Sequence, residues 1–541
     1  MLTTEFIVTD ILVIGSGIAG MMAAIEAKKG GAEVTLVTKG GLGKESSTSR
    51  ARSFRASYRQ SIGEEQVPDY DSKPGKYIED WPLVRIILGE APKQIDNLIE
   101  LGVPMAKVSA SAYRPVGSDR THGGAIVLGA LAPIAKDMGI RPVENCTIVG
   151  LLKHEGKVVG ASGLLSDGRW LSIYAKAVIL ATGGGAAIAE ITTSSREVSG
   201  GGYAIALNAG LALKNLEFNQ FYPVGLPTPA GEYVHCAPVT LIMKNAVLKN
   251  DKGEDIIKKH FGINLQQAMN IIVTTRFDWL SRAVAAEAED GRVWLDLTGV
   301  PPEEWEKLPE RNWKQIRATQ VDMKVKSVAI LPISQQFQGG ILINARMQTP
   351  MEGLYAAGEV TGGWYVGDGG ANPLGSCLSM GAIAGREAVS QVGGMKTPPE
   401  KEVADGELQE IRAMTGREGT VKPAEVRDEI RRLFYRHAGP IKSGPSLKEG
   451  LEKLQALGEK ATDFQCRNAA ELKDALEAKS MLLTSKALMK AALLRTESRG
   501  NYYRRDFSAR DDRNWLRPIL ISYDQEAKEL KVEPGERIEN D

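Results

Sequence analysis

Apolar residues gather in short continuous runs in the first part of the chain and recur at three- and four-residue spacing in the last part. The run Ile11–Ile14 is unbroken, as in a strand buried on both faces of a parallel sheet. It passes through Gly15, Gly17 and Gly20 into a helical pattern, and a second apolar run follows that ends in Thr38-Lys39. Two more apolar strands, Ala177–Ala181 and Leu354–Ala357, end in Thr182-Gly183-Gly184-Gly185 and in Gly358-Glu359. Three widely separated strand-to-glycine transitions predict one sheet assembled from distant parts of the chain around one long ligand. The stretch GANPLGSCLSMGAIAGREA, from Gly370 to Ala388, reads as a glycine-rich turn feeding a helix. Such a helix start offers open N–H groups to something electron-rich.

The pattern changes twice. Residues 226 to 333 are richer in charge, with helical patches such as DIIKKHFGINLQQAMNIIV, and read as an inserted cap. Beyond about Glu400 the spacing is helical, in PAEVRDEIRRLFYRHAGP, LKEGLEKLQALGEKA and ELKDALEAKSMLLTSKALMKAALLRTESRG. The tail after Trp515 is charged and is expected to be extended. The expected fold is α/β: a Rossmann-like dinucleotide-binding domain in two parts (1–225 and 334–395), an inserted α+β cap domain (226–333), and a C-terminal helical domain with an extended tail (396–541).

Composition narrows the function by exclusion. The chain has 541 residues, with 67 basic and 67 acidic, so no net charge favours nucleic acid or an anionic membrane surface. The 58 glycines exceed ordinary usage and cluster at turns. The four cysteines, Cys146, Cys236, Cys377 and Cys466, share no CxxC spacing, which argues against a cluster or zinc site held by this chain. They read as reduced thiols of a cytoplasmic protein. The apolar run Ile11–Ile25 lacks a basic leader and is broken by glycines, unlike a signal peptide. No stretch approaches the ~20 apolar residues of a membrane span, so no direct membrane insertion is expected.

Gly15, Gly17 and Gly20, with Ala19 between the last two, form GxGxxG directly after a strand and before a helix. That context marks a tight turn that lets backbone approach a pyrophosphate. About twenty residues on, an acidic residue ordinarily meets the ribose. Thr38 and Lys39 stand there instead, and the Thr38 hydroxyl could still bond a ribose. The missing acid weakens an NAD reading more than an FAD one. The Ala181-Thr182-Gly183-Gly184 turn lets backbone pass the dinucleotide, and Glu359 after Gly358 is placed to take a ribityl or ribose hydroxyl.

With these motifs the chain resembles the flavoprotein subunits of succinate dehydrogenase and fumarate reductase, together with L-aspartate oxidase and, more distantly, adenylylsulfate reductase. The resemblance runs from about Thr9 to Trp515 through GxGxxG, ATGGG at 181–185, GGI at 339–341, GLYAAGE at 353–359 and RTESRGNYYRRDFSARDDRNW at 495–515. It implies an FAD-binding domain, a mobile cap and a helical C-terminal domain. It also implies that the helix after the Gly-Glu strand meets the N1/O2 edge of the flavin, through Ser376, Cys377 and Leu378. A helix start there would stabilise an anionic reduced flavin.

The resemblance breaks at the substrate. Where dicarboxylate members carry His-Pro-Thr-Gly, this chain has FYPVG with Tyr222; where they carry a histidine before Gly-Gly-Ile, it has Gln335. Their Arg-Gly-Glu-Gly-Gly run is matched by PVTLIMKNAVL without arginine, and their His-Gly-Ala-Asn-Arg run by Gly369 to Pro373. A doubly charged dicarboxylate needs fixed cations and an acid. The histidine that carries flavin covalently in some members is replaced by Ser47, between Ser46 and Thr48, which implies non-covalent FAD.

Other groups stand near the implied flavin. Arg50, Arg52, Arg55 and Arg59 form either a solvated face or an anion site. Arg120 and His122 lie in a segment that approaches the flavin in relatives, and His122 is a candidate acid or base. Trp364, Tyr365 and Asp368 edge the same pocket. His122, Arg120, Tyr222 and Gln335 are thus the candidate catalytic residues. The expected function is an FAD-dependent oxidoreductase subunit that moves electrons, as hydride, between a small organic (anionic) substrate and an iron–sulfur subunit or other redox partner. It would be cytoplasmic, reaching a membrane only through partners. Two alternatives stay open: a fumarate reductase, succinate dehydrogenase or adenylylsulfate reductase type of enzyme with a rearranged site, and a flavin subunit that only relays electrons.

Overall fold

The computed structural model describes residues 3–51, 56–57, 78–109, 112–118, 122–236, 238–268, 277–362, 373–392 and 406–538. The main sheet runs in the order Arg141–Val143, Val34–Val37, Thr4–Ile14, Trp170–Leu180, Lys157–Leu165, Cys146–His154. The strand Leu354–Ala356 also pairs with the C-terminal part of Trp170–Leu180. The pairings among Arg141–Val143, Val34–Val37, Thr4–Ile14, Trp170–Leu180 and Leu354–Ala356 are parallel, while the two beyond Trp170 turn antiparallel. The three strand-to-glycine transitions therefore do lie in one sheet, side by side.

The first strand is longer than its unbroken apolar run. Residues Thr4 to Val8 have a neighbour on one side only, so Phe6 and Val8 stay exposed while Ile7 is buried. From Ile11 on, strands flank it on both sides and every residue is buried. The helix Ile18–Lys29 is buried from Ile18 to Ala27, because the sheet lies beneath it and the helix Pro373–Val392 lies against it. Gly381 and Gly385 set that approach: a Cβ on either would fall 2.1 Å from Ala19 O or 2.4 Å from Ala23 O.

The cap is built on a five-stranded sheet in the order Tyr233–His235, Asn219–Pro227, Val328–Phe337, Val293–Asp296, Val247–Asn250. It has its own core, including Val224, Leu248, Leu280, Leu295 and Ile330. The two strands that enter and leave the cap pair with each other, from Asn219↔Phe337 to Gly225↔Leu331. They straddle the expected limits at 226 and 333, because charge density marks the cap surface whereas strand pairing marks its base.

Helices Pro423–His437, Gly444–Lys460 and Ala469–Leu494 pack together after Gly406–Met414. Beyond Trp515 the chain continues as two strands. Ile519–Asp524 and Glu529–Pro534 form a hairpin that pairs with Leu213–Lys214, itself paired with Gly340–Ile341. Buried Ile519 and Ile521 alternate with half-buried neighbours along the first of these strands. No helix among the described residues is long and apolar enough to cross a membrane.

Candidate active site

The phosphate-binding turn is held by backbone sterics. Gly15 has φ +111°, and a Cβ on it would lie 2.2 Å from Ala181 O; a Cβ on Gly20 would lie 1.8 Å from Gly15 O. Only glycine fits either place. Gly17 differs: the nearest atom to a Cβ there is Thr48 Oγ1, at 3.5 Å. Gly17 therefore faces a cradle rather than packed protein, at the start of a helix with no side-chain cap. Thr48 Oγ1 accepts from the Ile18 N–H at 3.2 Å, and Ser46 caps the short helix Ser47–Arg50. The second serine-rich turn is thus fastened to the first glycine turn, and both offer N–H groups to a diphosphate. Ala19 packs beneath them in the core.

Thr38 and Lys39 stand where expected but are engaged within the protein. Ser16 Oγ donates to Thr38 Oγ1 at 2.9 Å. Lys39 Nζ lies 3.1 Å from Glu477 Oε1 and donates to Glu197 O and Ser199 Oγ. Glu477 is buried in helix Ala469–Leu494 and also meets Arg427 at 2.8 Å. A clamp thus ties the end of the second strand to the helical domain, and nothing in local spacing could have revealed it.

At the other two strand ends, Gly184 allows Glu359 to approach: a Cβ on Gly184 would lie 2.0 Å from Glu359 Oε1. Glu359 Oε1 accepts from the Phe337 N–H at 3.0 Å, and burial pushes its carboxyl up to about 7. Gly183 has φ +75° and Gly358 φ +83°. Thr182 Oγ1 and Ser376 Oγ are buried without a hydrogen-bond partner among the described residues. The helix that begins at Pro373 carries Ser376 at the end of its first turn and Cys377 and Leu378 just beyond. Leu374 and Gly375 are therefore its most open amides. Burial pushes the Cys377 thiol up to about 12, so it stays protonated. Leu378 is in the core.

FAD fits these residues. A long polar ligand would fill the Gly17 cradle, supply partners to Thr182 and Ser376, and bring hydroxyls to a buried carboxyl that pairs with no cation among the described residues. When bound, the flavin would supply two-electron redox chemistry.

At the base of the cap, Gln335 Nε2 donates to Tyr222 Oη at 2.9 Å. The structure thus joins two residues chosen separately from the sequence. Ser194 Oγ donates to Gln335 O at 3.5 Å and lies 3.2 Å from Ser47 Oγ. A chain of uncharged polar groups therefore runs from the serine turn beside the diphosphate site to the cap. His235, absent from the residues singled out by motif, has its ring centroid 4.2 Å from that of Tyr222. Its only signals were the rarity of histidine and the pairing Gly225↔His235, and the second is a tertiary fact. His122 is exposed and precedes helix Gly123–Asp137, which packs on the serine turn through Gly124 N–H and Ala51 O at 3.2 Å. Arg120, Arg52, Arg55, Arg59, Trp364, Tyr365, Asp368 and Gly369 lie outside the described residues.

The arginine-rich segment near the end is an internal network. Arg495 meets Glu217 at 2.7 Å and Glu497 at 3.0 Å, Arg499 meets Glu497 at 2.7 Å and Asp512 at 2.6 Å, and Arg504 meets Asp506 at 2.8 Å. Arg495, Arg499, Glu217 and Glu497 side chains are fully buried. Nearby, burial pulls the Lys442 ammonium down to about 7.

Residues 10–378 match the FAD binding domain family and residues 427–538 the fumarate reductase flavoprotein C-terminal family. The chain is 29% identical to one of the subunits of the fumarate reductase (CoM/CoB) of Methanothermobacter marburgensis, over 96% of this chain and 98% of that one. It is 30% identical to an uncharacterized FAD-dependent oxidoreductase of Methanocaldococcus jannaschii, over 95% and 96%. Among solved structures it matches Mycobacterium smegmatis Sdh1 in complex with UQ1, with TM-score 0.83 and 25% identity, over 100% of this chain and 95% of that one. The glycine turns, the buried glutamate and the end-to-end match together make this chain an FAD-dependent oxidoreductase of the fumarate reductase/succinate dehydrogenase flavoprotein family.

Proposed function

We propose that this chain is the flavin-carrying subunit of an oxidoreductase complex, and that it moves a hydride between non-covalent FAD and an organic substrate held under the cap. The observation that carries the substrate assignment is the Tyr222–Gln335 hydrogen bond. A hydroxyl and an amide stand at the two positions that the resemblance matches to histidines of the dicarboxylate enzymes, and their hydrogen bond supports a substrate of different charge. Ser47 lies in the serine turn, 3.2 Å from Ser194, and has no nucleophilic nitrogen for a flavin link. A partner that accepts or supplies electrons is supported by the Methanothermobacter marburgensis relative, which by name belongs to a multisubunit enzyme.

The test has two arms. Acid precipitation of the purified protein is expected to leave yellow flavin in the supernatant; flavin in the pellet would overturn non-covalent binding. Dye-linked assays are expected to show negligible succinate oxidation or fumarate reduction. The name of that same relative supports a second reading, fumarate reduction by a rearranged site. Turnover of about 1 per second or more, within the ordinary enzymatic range, would establish it in place of the first.

A further inference from the structure

We propose that a groove in the helical domain binds a phosphate-bearing small molecule through Lys486 and Lys528. The groove lies between helices Gly444–Lys460 and Ala469–Leu494 and the turn of the C-terminal hairpin, and encloses about 560 Å³, a volume that suits a small molecule. Lys479, Lys486, Lys490 and Lys528 line it, with one carboxylate, Glu529. Three of these lysines share one face of helix Ala469–Leu494. Two of the four have partners: Lys479 meets Glu410, and Lys490 lies 3.5 Å from Glu529. Lys486 and Lys528 make no ion pair among the described residues. Lys486 Nζ donates to the Gln455 amide oxygen at 2.9 Å, and Glu459, one turn on, accepts from Gln455 Nε2 at 3.5 Å instead.

The helices seat this ammonium against their own propensity. Gly458 lies inside a helix, where glycine is less stable than alanine, and a Cβ there would stand 3.2 Å from Lys486 Nζ. Lys486 also precedes Lys490 by one turn, a like-charge spacing that weakens a helix. Burial, and after it the Lys490 charge, pull the Lys486 ammonium below its ordinary value. An anion in the groove relieves that repulsion and gives both unpaired ammonium groups a partner. Lysines are compact point charges whose donors turn freely, which suits a tetrahedral phosphate more than a planar carboxylate. Leu482, Leu483 and Tyr523 add an apolar wall along which an organic group can lie. The shared chemistry is a phosphate or diphosphate group, carried by a nucleotide or free as pyrophosphate.

Calorimetric titration of the flavin-loaded full-length protein with ADP and with inorganic pyrophosphate tests this, with flavin absorbance followed so that the dinucleotide site is known to stay occupied. At least one probe is expected to half-saturate below about 1 mM at about 0.1 M salt, where distant surface charges are screened. Tighter binding of ADP assigns the nucleotide as the source; equal or tighter binding of pyrophosphate assigns the free anion. Lys486→Gln and Lys528→Gln are each expected to weaken binding about tenfold, the weight of a hydrogen bond to a charged group, with flavin content and thermal midpoint unchanged. Lys453→Gln alters a lysine of helix Gly444–Lys460 outside the groove and is expected to leave binding as it was. Should Lys486→Gln fail to fold, the exposed Lys528 decides. No binding of either probe up to about 10 mM, weaker than specific small-ligand binding, overturns the proposal. Binding that displaces flavin, or that Lys486→Gln and Lys528→Gln leave unaltered, lies elsewhere and overturns it too. A glutamate-rich peptide that binds more tightly than both probes would do the same, because the groove would then serve an acidic protein segment.

Discussion

Gly15, Gly17 and Gly20 share one motif but differ in what enforces them. A methyl at Gly15 must enter Ala181 O from a backbone at φ +111°, so Gly15→Ala is expected to abolish folding or cost more than about 2 kcal/mol. Gly17 sits at φ −66°, which alanine adopts, and its methyl would meet nothing nearer than 3.5 Å. Gly17→Ala is therefore expected to leave the flavin-free protein within about 0.5 kcal/mol of the parent while filling the space a diphosphate needs. Flavin absorbance per mole of protein and the thermal midpoint read the two effects separately. Glu359 gives a pH signature. Its folded value of about 7 lies above the ordinary 4.5. Between those values the folded protein keeps a proton that the unfolded chain releases. Its contribution to stability is thus intact below pH 4.5 and falls as pH rises through 7, by about 3 kcal/mol in the flavin-free protein. Glu359→Gln is expected to flatten the fall in thermal midpoint between pH 5 and 7; a slope equal to the parent's would contradict the burial argument.

Individual elements are held by buried charges as much as by apolar faces. The C-terminal end of helix Ala469–Leu494 leads directly to Arg495, whose guanidinium also donates to Trp515 O and Arg517 O. That one side chain joins the long helix Ala469–Leu494, the segment before the hairpin and Glu217 at the entrance to the cap. Arg495→Leu leaves Glu217 buried with no counter-charge of its own, and a loss of about 3–5 kcal/mol is expected from urea unfolding midpoints. The Arg505–Glu289 pair makes the contrast: it links the same segment to cap helix Phe277–Glu289, but about half of each side chain is exposed. Glu289→Gln is expected to change stability by less than about 0.5 kcal/mol.

For the whole molecule, the arrangement places the flavin domain at the centre of two separate attachments. The cap joins through the paired strands Asn219–Pro227 and Val328–Phe337, while the helical domain joins through Lys39 and Glu477 and through the hairpin that adds to Leu213–Lys214. The arginines Arg495, Arg499 and Arg504 are taken up by this internal joining, so a docking partner could meet only the outer groups of the segment, such as Arg505, Arg510 and Phe507. Anoxic purification from the native source is expected to bring an iron-containing subunit with the chain, read by iron and sulfide analysis. A chain that purifies alone, and whose reduced flavin is reoxidised by oxygen at catalytic rates, would refute the partner.

How much the sequence determined depends on the range of the interaction concerned. The glycine turns and the three strands that end in them were legible, because each follows from neighbours a few residues apart: a tight turn and a buried run. The replacement of Tyr222 and Gln335 was legible too, since both are matters of residue identity. Their pairing was decided only by the fold. Tyr222 and Gln335 are 113 residues apart in sequence and meet because the two strands that open and close the cap run antiparallel. The same holds for His235 over Tyr222, for Lys39 on Glu477, and for a charged tail that becomes a hairpin when Leu213–Lys214 offers an edge. Burial is the physical reason. A charge, an imidazole or an amide acquires its partner, and Glu359 its raised proton affinity, only when water is removed from around it, and which residues remove that water is written in the packing of distant segments.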